Sequence, residues 1–354
     1  MLKNFWYACE FSSAITNKPK QIKLLRQNFV LYRNAQGQVI ALNDRCPHRG
    51  AAISQGSIDR DCIRCPYHGW KFRTDGTCIE IPANSEGELI PPKARLDAYP
   101  AQEKYGFVWL FWGDLPEEER PPLPSFPEVK DSTLRSVQSE FRWNAHYSRV
   151  VDNSIDLVHS PFVHPNSFGS GMAQDPQFPE CDFHQGRWSG SISLHLKQPL
   201  PKGFLWNYID RMGWAQVAIT QAFYMPNLVS IDIANGKLIV MLAQVPLDNC
   251  TTVTKMIQFR SFLTQPLFDG IFHNQNLQIN QEDRRIVEAQ QPEVVPSDLT
   301  EELHMHSDVL SIAYRKMRKK CLDMGWVIDR PDLPIGIQET SNHHPSLVSD
   351  RHHC

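Results

Sequence analysis

The sequence predicts an α+β protein of two domains, and three observations lead to this prediction. The chain has 354 residues, about twice the length of an ordinary domain. Residues 1–113 carry strand and hairpin patterns, whereas residues 129–334 combine strand-like runs with long helical stretches. Between them, residues 114–128 contain five prolines and five acidic residues, which interrupt helices and central strands. We therefore expect a linker over residues 114–128.

Two hairpin patterns and one apolar run predict the strands of the first domain. In each hairpin, short runs rich in apolar residues flank a turn that contains glycine. The predicted strands are residues 29–33 paired with 39–42, residues 70–72 paired with 78–81, and residues 107–112.

In the second domain, strand-like runs lie between helical patterns. We predict strands at residues 189–196, 217–224 and 237–245, and helices at residues 141–170 (becoming irregular towards the end), 266–291 and 300–324. Because the helices precede and follow the strands instead of alternating with them, the pattern indicates an α+β domain. Residues 335–354 are rich in Pro, Ser, Asn and His without periodicity, which predicts a disordered tail.

Composition excludes several classes of function. The net charge is −3, from 36 basic and 39 acidic residues, so no polycationic surface is expected to bind nucleic acid. No stretch approaches the roughly 20 apolar residues that cross a bilayer. The N-terminus lacks an apolar run of signal-peptide length, which predicts a cytoplasmic protein. Cysteines stay reduced there, so clustered cysteines suggest a metal site.

Two thiols and two imidazoles arrive in pairs from two loops. The first loop reads Cys46-Pro-His48, and sixteen residues later the second reads Cys65-Pro-Tyr-His68. Zinc also accepts such a set, and Cys62 with Cys65 and His68 has the spacing of a zinc-ribbon half-site. Against zinc, its cysteine knuckles usually leave two to four residues between ligands, whereas Cys46 and His48 leave one.

The pattern C-x-H-x₁₆-C-x₂-H resembles the signature of the Rieske family, in which two cysteines hold one iron and two histidines hold the other. Respiratory-chain members carry a further cysteine in each loop. Ala51 and Tyr67 stand at those places here, so the oxygenase and ferredoxin branch fits better. The resemblance implies a [2Fe–2S] cluster bound by the two thiols and two imidazoles.

A second constellation lies beyond the linker. Asn153, Asp156 and His159 recur every three residues, so on a helix they would form one polar stripe. His164 follows five residues after His159, and Pro161 is expected to end or bend the helix so that the imidazoles converge. Two histidines with one carboxylate form the facial site of non-haem Fe(II) oxygenases.

The carboxylate is expected from residues 280–291. Glu282 and Asp283 both have apolar neighbours at helical spacing, so periodicity does not separate them.

Together the two constellations resemble Rieske non-haem iron oxygenases over residues 1 to about 330. The compact length resembles the monooxygenase group of vanillate O-demethylase and dicamba demethylase. Residues 152–159, 302–308 and 313–315 also resemble the cyanobacterial hydroxylases of saxitoxin biosynthesis. The resemblance implies an all-β Rieske domain followed by a helix-grip (START-like) catalytic domain, with an antiparallel sheet and flanking helices.

The resemblance also implies roles for single residues. Asp283 would be the third ligand of a mononuclear Fe(II), beside His159 and His164. Asp156 would link an iron histidine to a cluster histidine of a neighbouring subunit, with His68 the favoured partner, in a homotrimer. Asn153 would lie near the iron.

The expected reaction is hydroxylation or oxidative demethylation of a small organic substrate with O₂. The chain has neither a G-x-G-x-x-G dinucleotide fingerprint nor a plant-type ferredoxin cysteine run. Electrons are therefore expected from a separate reductase or ferredoxin. Two alternatives remain: a Rieske electron-transfer protein without oxygenase activity, and a zinc-stabilised binding protein.

Overall fold

The structure is a computed structural model that describes residues 1–130, 133–165, 167, 180–196 and 217–328. The predicted tail at residues 335–354 lies outside the described residues. Within those residues, no helix combines the length and the apolar character that crossing a membrane requires.

The first domain is built from short antiparallel strands. The strands are β1 Phe5–Phe11, β2 Lys20–Leu24, β3 Gln27–Arg33, β4 Val39–Asn43, β5 Ser57–Asp59, β6 Cys62–Arg64, β7 Lys71–Phe72, β8 Cys78–Glu80, β9 Ala98–Tyr99, β10 Ala101–Lys104 and β11 Phe107–Trp112. They form three sheets, with the orders β1-β11-β10, β2-β3-β4-β9 and β5-β6-β7-β8. Both predicted hairpins and the predicted strand at residues 107–112 are present.

The second domain contains one antiparallel sheet. Its strands are β12 Arg135–Trp143, β13 Cys181–Gln185, β14 Ser189–Leu196, β15 Val217–Tyr224, β16 Leu228–Ile233, β17 Leu238–Pro246 and β18 Thr252–Arg260. Their order in the sheet is β12-β18-β17-β16-β15-β14-β13. Its helices are α1 Tyr147–Ser154, α2 Ser160–Val163, α3 Asp269–Val287 and α4 Val309–Asp323. The predicted α+β class, with flanking helices, is confirmed.

Two predicted helices start too early. Residues 135–143 alternate between exposed and buried positions and pair with β18, so the predicted helix over residues 141–170 begins only at Tyr147. The helix predicted from residue 300 begins at Val309, because a short 3₁₀ turn occupies His306–Asp308 just before it. In both cases the local pattern predicted a helix but not where it starts.

One apolar core crosses the predicted domain boundary. Buried residues of β1 and β11, such as Tyr7 and Phe111, belong to the same cluster as Met241 and Ile257 of the second sheet. A smaller cluster in the first domain contains Cys46 and Cys65. The proline-rich segment therefore separates the sheets, whereas the main core is continuous across it.

A buried histidine caps the helix that leads to the second constellation. His146 is 4% exposed, and its Nδ1 accepts the backbone N–H of Ser148 at 3.2 Å. Burial, reinforced by Arg318, lowers the pKa of His146 to about 3. The folded protein therefore keeps this imidazole neutral at pH values where the unfolded chain takes up a proton.

We expect this histidine to make the fold sensitive to acid. Well above pH ~6.5 this imidazole is neutral in both the folded and the unfolded state, so its effect on the free energy of unfolding does not change with pH. As the pH falls below that value, only the unfolded state gains the proton, so up to about 1.4 kcal/mol is lost per pH unit. His146→Asn keeps a preferred N-cap without titrating. Urea unfolding at pH 7.5 and pH 5 should show a smaller acid loss in the variant, by up to about 2 kcal/mol. An unchanged pH dependence would contradict this role.

Candidate metal centres

The two loops of the first constellation repeat one backbone arrangement. The N–H of Cys46 donates to the Ala51 carbonyl at 2.9 Å, and the N–H of Gly50 donates back to the Cys46 carbonyl at 2.9 Å. The second loop has the same pair of hydrogen bonds. The N–H of Cys65 donates to the Trp70 carbonyl at 2.8 Å, and the N–H of Gly69 donates to the Cys65 carbonyl at 3.2 Å.

Each loop needs glycine where it turns. Gly50 and Gly69 have φ angles of +72° and +70°, in the left-handed region that residues with a Cβ rarely adopt. Because the loops match, the cysteines occupy equivalent places, and the histidines differ by one residue along the chain. The result is a pair of loops that present one thiol and one imidazole each.

Thiols and imidazoles occupy different depths. Cys46 and Cys65 are 2% and 3% exposed, whereas His48 is partly exposed and His68 is exposed. The two imidazole centroids lie 4.5 Å apart, and the ring of Trp70 stacks on His48 at 4.7 Å. An occupant of this site would therefore be held from inside by sulfur and from the surface side by nitrogen.

The residues of this site fit a metal cluster. Burial raises the pKa of the Cys46 thiol to about 11, so a buried thiolate here requires a compensating cation. His48 Nδ1 is buried without a hydrogen-bond partner among the described residues. Among the described residues, Cys62, Cys65 and His68 do not bring three ligand atoms within 4.8 Å of one another, so the zinc-ribbon spacing is not matched by a three-ligand site there.

The second constellation does not lie on one continuous helix. α1 ends at Ser154, and α2 begins at Ser160 with Pro161 in its first turn. Asp156 accepts the N–H of Val158 at 2.8 Å, a local turn that competes with the helix. The predicted polar stripe is therefore wrong, as is the expectation that Pro161 ends a helix, since proline is favoured in the first turn.

This break nevertheless brings the predicted ligands together. His159 immediately precedes α2 and His164 immediately follows it, while Asp283 lies on the buried face of α3. One ligand atom from each of the three lies within 4.8 Å of the others. Asp283 Oδ1 is 3.4 Å from His159 Nε2 and 3.1 Å from His164 Nε2.

Glu282 and Asp283 have different places in this site. Glu282 Oε2 lies 2.8 Å from Nδ1 of His164, on the opposite side of the ring from Asp283. It also accepts the hydroxyl of Ser167 at 2.8 Å, and its other oxygen accepts Gln278 Nε2 at 2.9 Å. Asp283 is thus the carboxylate that faces both histidines, whereas Glu282 contacts one of them from its other ring nitrogen.

The donor atoms of this site converge. Asp283 Oδ1 is buried and lies between Nε2 of His164, at 3.1 Å, and Nε2 of His159, at 3.4 Å. Glu282 contacts the other ring nitrogen of His164, so Nε2 is the nitrogen directed towards Asp283. The donor set fits a divalent transition metal such as Fe(II).

Asp156 and Asn153 lie at the edge of this group. Asp156 Oδ2 is 3.5 Å from His159 Nδ1, and 41% of its side chain is exposed. Burial acts to lower the pKa of His159, but Asp156 and Asp283 outweigh it and raise the pKa to about 9. Asn153 is in the last turn of α1, and its carbonyl accepts the N–H of Asp156 at 3.2 Å.

Comparison with known proteins identifies two domain families in this chain. A Rieske [2Fe-2S] domain family matches residues 5–100, and the vanillate O-demethylase oxygenase C-terminal domain family matches residues 143–324, just over half of the chain. The chain belongs to the Rieske oxygenase family. Its first domain is therefore a Rieske [2Fe–2S] domain.

Relatives of this Rieske oxygenase are named as demethylases and monooxygenases. Methylxanthine N1-demethylase NdmA of Pseudomonas putida is 28% identical over 89% of this chain and 88% of its own length. The iron–sulfur subunit TsaM1 of the toluene-4-sulfonate monooxygenase system of Comamonas testosteroni is 34% identical over 49% of each chain. The matches to the first curated relatives thus span about half of their length. The structure of dicamba monooxygenase bound to dicamba superposes with a TM-score of 0.76 at 21% identity, over 92% of this chain and 99% of that one, which confirms the fold.

Proposed function

We propose that this chain is the oxygenase component of a Rieske monooxygenase, which hydroxylates or oxidatively demethylates a small organic substrate with O₂. The observation that carries the proposal is the convergence of His159, His164 and Asp283 in a chain that also has a Rieske domain. The relatives named as monooxygenases and demethylases support the same reaction class.

The chain's own residues have separable tasks in this proposal. Cys46, His48, Cys65 and His68 would hold the [2Fe–2S] cluster, and the two histidines with Asp283 would hold Fe(II). When bound, the cluster supplies an electron and the mononuclear iron activates O₂, so that one oxygen atom enters the substrate. Glu282 keeps the proton of His164 on Nδ1 and so directs Nε2 towards the metal.

Electron supply and assembly are part of the proposal. A separate reductase or ferredoxin would reduce the cluster, whose histidines lie at the surface. The exposed carboxylate of Asp156 would accept a hydrogen bond from a cluster histidine of a neighbouring subunit in a homotrimer. Asn153 would lie near the iron. We also expect a cytoplasmic location. An electron-transfer protein without oxygenase activity would need no facial group of two histidines and an aspartate.

Removal of the mononuclear metal tests the proposed function. Brief treatment of the holoprotein with a ferrous chelator should abolish substrate-stimulated O₂ uptake and formaldehyde release from a panel of methoxy- and N-methyl-aromatic compounds. The visible spectrum of the cluster should remain, because its thiols are buried. Fe(II) should restore activity, and Zn(II) should not, because zinc has no redox chemistry. Substrate-stimulated O₂ uptake that is unchanged after removal of the mononuclear metal would refute the oxygenase.

A further inference from the structure

Gln221 is a buried amide beside the metal-bearing segment. It lies in β15 with 1% of its surface exposed, and its neighbours across the sheet are Ile192 and Ile231. Its Nε2 donates to the carbonyl of Ser154 at 2.7 Å. Ser154 is the last residue of α1, immediately before the non-helical run that leads to His159. The glutamine therefore lies on the helix-facing side of the sheet, under that run.

The contact with Ser154 fixes the orientation of the amide. A carbonyl oxygen only accepts hydrogen bonds, so the nitrogen of Gln221 must face it. The amide oxygen Oε1 is then directed elsewhere, and it is a buried acceptor without a partner in the described part of the chain. Buried acceptors of this kind are costly, so their retention requires an explanation.

A second glutamine shows what a purely structural role looks like. Gln244 is also 1% exposed, and its Nε2 donates to Ser154 Oγ at 3.0 Å. Its oxygen accepts the hydroxyl of Thr254, which in turn accepts the indole N–H of Trp143 at 2.7 Å. Because an indole only donates, the direction of this whole chain is fixed. Gln244 thus contacts α1 while both its amide nitrogen and its amide oxygen form hydrogen bonds. Gln221 contacts α1 through its nitrogen alone.

The position of Gln221 also distinguishes it from another buried amide. Asn227 likewise has an amide oxygen without a partner among the described residues. Its nitrogen, however, donates to the carbonyl of Ala8 in the first domain at 3.0 Å. Asn227 therefore lies at the contact between domains, while Gln221 lies beside the segment that carries the proposed iron ligands.

We propose that Gln221 Oε1 accepts a hydrogen bond from the substrate, so that the enzyme prefers small organic molecules with an N–H or O–H group over their methylated counterparts. The proposal rests on the proposed function, because it takes the substrate to bind between the sheet and the metal-bearing segment. A ligand with a donor satisfies the acceptor. A methylated ligand leaves it unpaired, which costs about tenfold or more in affinity.

The test measures binding of matched ligands to the holoprotein, anaerobically and without an electron donor. Theobromine and caffeine differ in one N–H, and vanillate and 3,4-dimethoxybenzoate differ in one O–H. Isothermal titration should show that the wild type prefers the donor-bearing member of at least one pair by about tenfold. Gln221→Met should reduce that preference to about twofold or less. Gln244→Met, which loses the same kind of contact with Ser154, should keep it.

A third variant separates recognition from folding. In Gln221→Glu the buried carboxyl should stay neutral, donate its O–H to Ser154 and keep a free carbonyl oxygen, so the preference should persist even if Gln221→Met fails to fold. The proposal is overturned if the wild-type protein shows no preference in either ligand pair or binds neither pair. It is also overturned if Gln244→Met loses the preference as much as Gln221→Met does. These binding measurements involve no turnover, so their failure is distinguishable from failure of the proposed function, which the dependence of O₂ uptake on Fe(II) tests.

Discussion

Asp283→Ala should remove the mononuclear iron and leave the Rieske cluster intact. Asp283 Oδ1 is the atom that faces both His159 and His164, and without it the facial set has two neutral ligands and no anionic one. We expect iron analysis to show a loss of about one iron per chain, with the cluster absorption and its acid-labile sulfide unchanged. Substrate-stimulated O₂ uptake should fall below detection.

The adjacent residue provides the matched control for Asp283. Glu282→Gln keeps the length of the side chain next to Asp283 and still offers an oxygen to His164, but it removes the charge that stabilises the Nδ1 proton. Such outer partners typically contribute 10- to 100-fold to metal affinity, so this variant should bind iron more weakly but still bind it. If Glu282→Gln lost iron completely and Asp283→Ala retained it, the assignment of the two carboxylates would be reversed.

The two loops of the first constellation were predictable because their signal is local. Both Cys/His pairs lie within residues 46–68, and their spacing alone predicts two matching loops. The strands that were predicted, such as residues 29–33, 107–112 and 217–224, could be found for the same reason, since alternation and turn residues are read over a few positions. The prediction of the α+β class followed from these elements and is confirmed.

The second constellation was predictable in its candidate ligands and not in its backbone. The spacing of Asn153, Asp156 and His159 favours a helix, yet the side chain of Asp156 forms its own turn at Val158 and the helix ends at Ser154. Helical periodicity could not choose between Glu282 and Asp283, because the decision depends on where residues 159–164 lie across the fold. Gln221 gave no signal in the sequence, since its burial and its contact with Ser154 arise from the pairing of distant strands.

Asp156→Asn should leave both metals bound and reduce coupled turnover by about 100-fold or more. The reason is that loss of the link between the two sites disturbs electron transfer to the iron, and misplaced reacting groups cost a similar factor in catalysis. Asp156 Oδ2 lies 3.5 Å from His159 Nδ1, and in the proposed trimer this carboxylate would accept one N–H from His159 and another from a cluster histidine of the neighbouring subunit. A carboxylate accepts from both, whereas an amide has a single acceptor oxygen. The variant oxygen can still accept the N–H of Val158, so the turn that positions His159 should persist.

A second aspartate in the same kind of turn separates the two roles of Asp156. Asp75 accepts the N–H of Thr77 two residues later at 2.9 Å, far along the chain from the iron ligands. Asp75→Asn should therefore match the wild type. Stopped-flow measurement of cluster reoxidation by O₂ with substrate present should be slow only in Asp156→Asn, while reduction of its cluster by dithionite stays normal. Wild-type reoxidation in Asp156→Asn would show that electrons do not pass through this carboxylate.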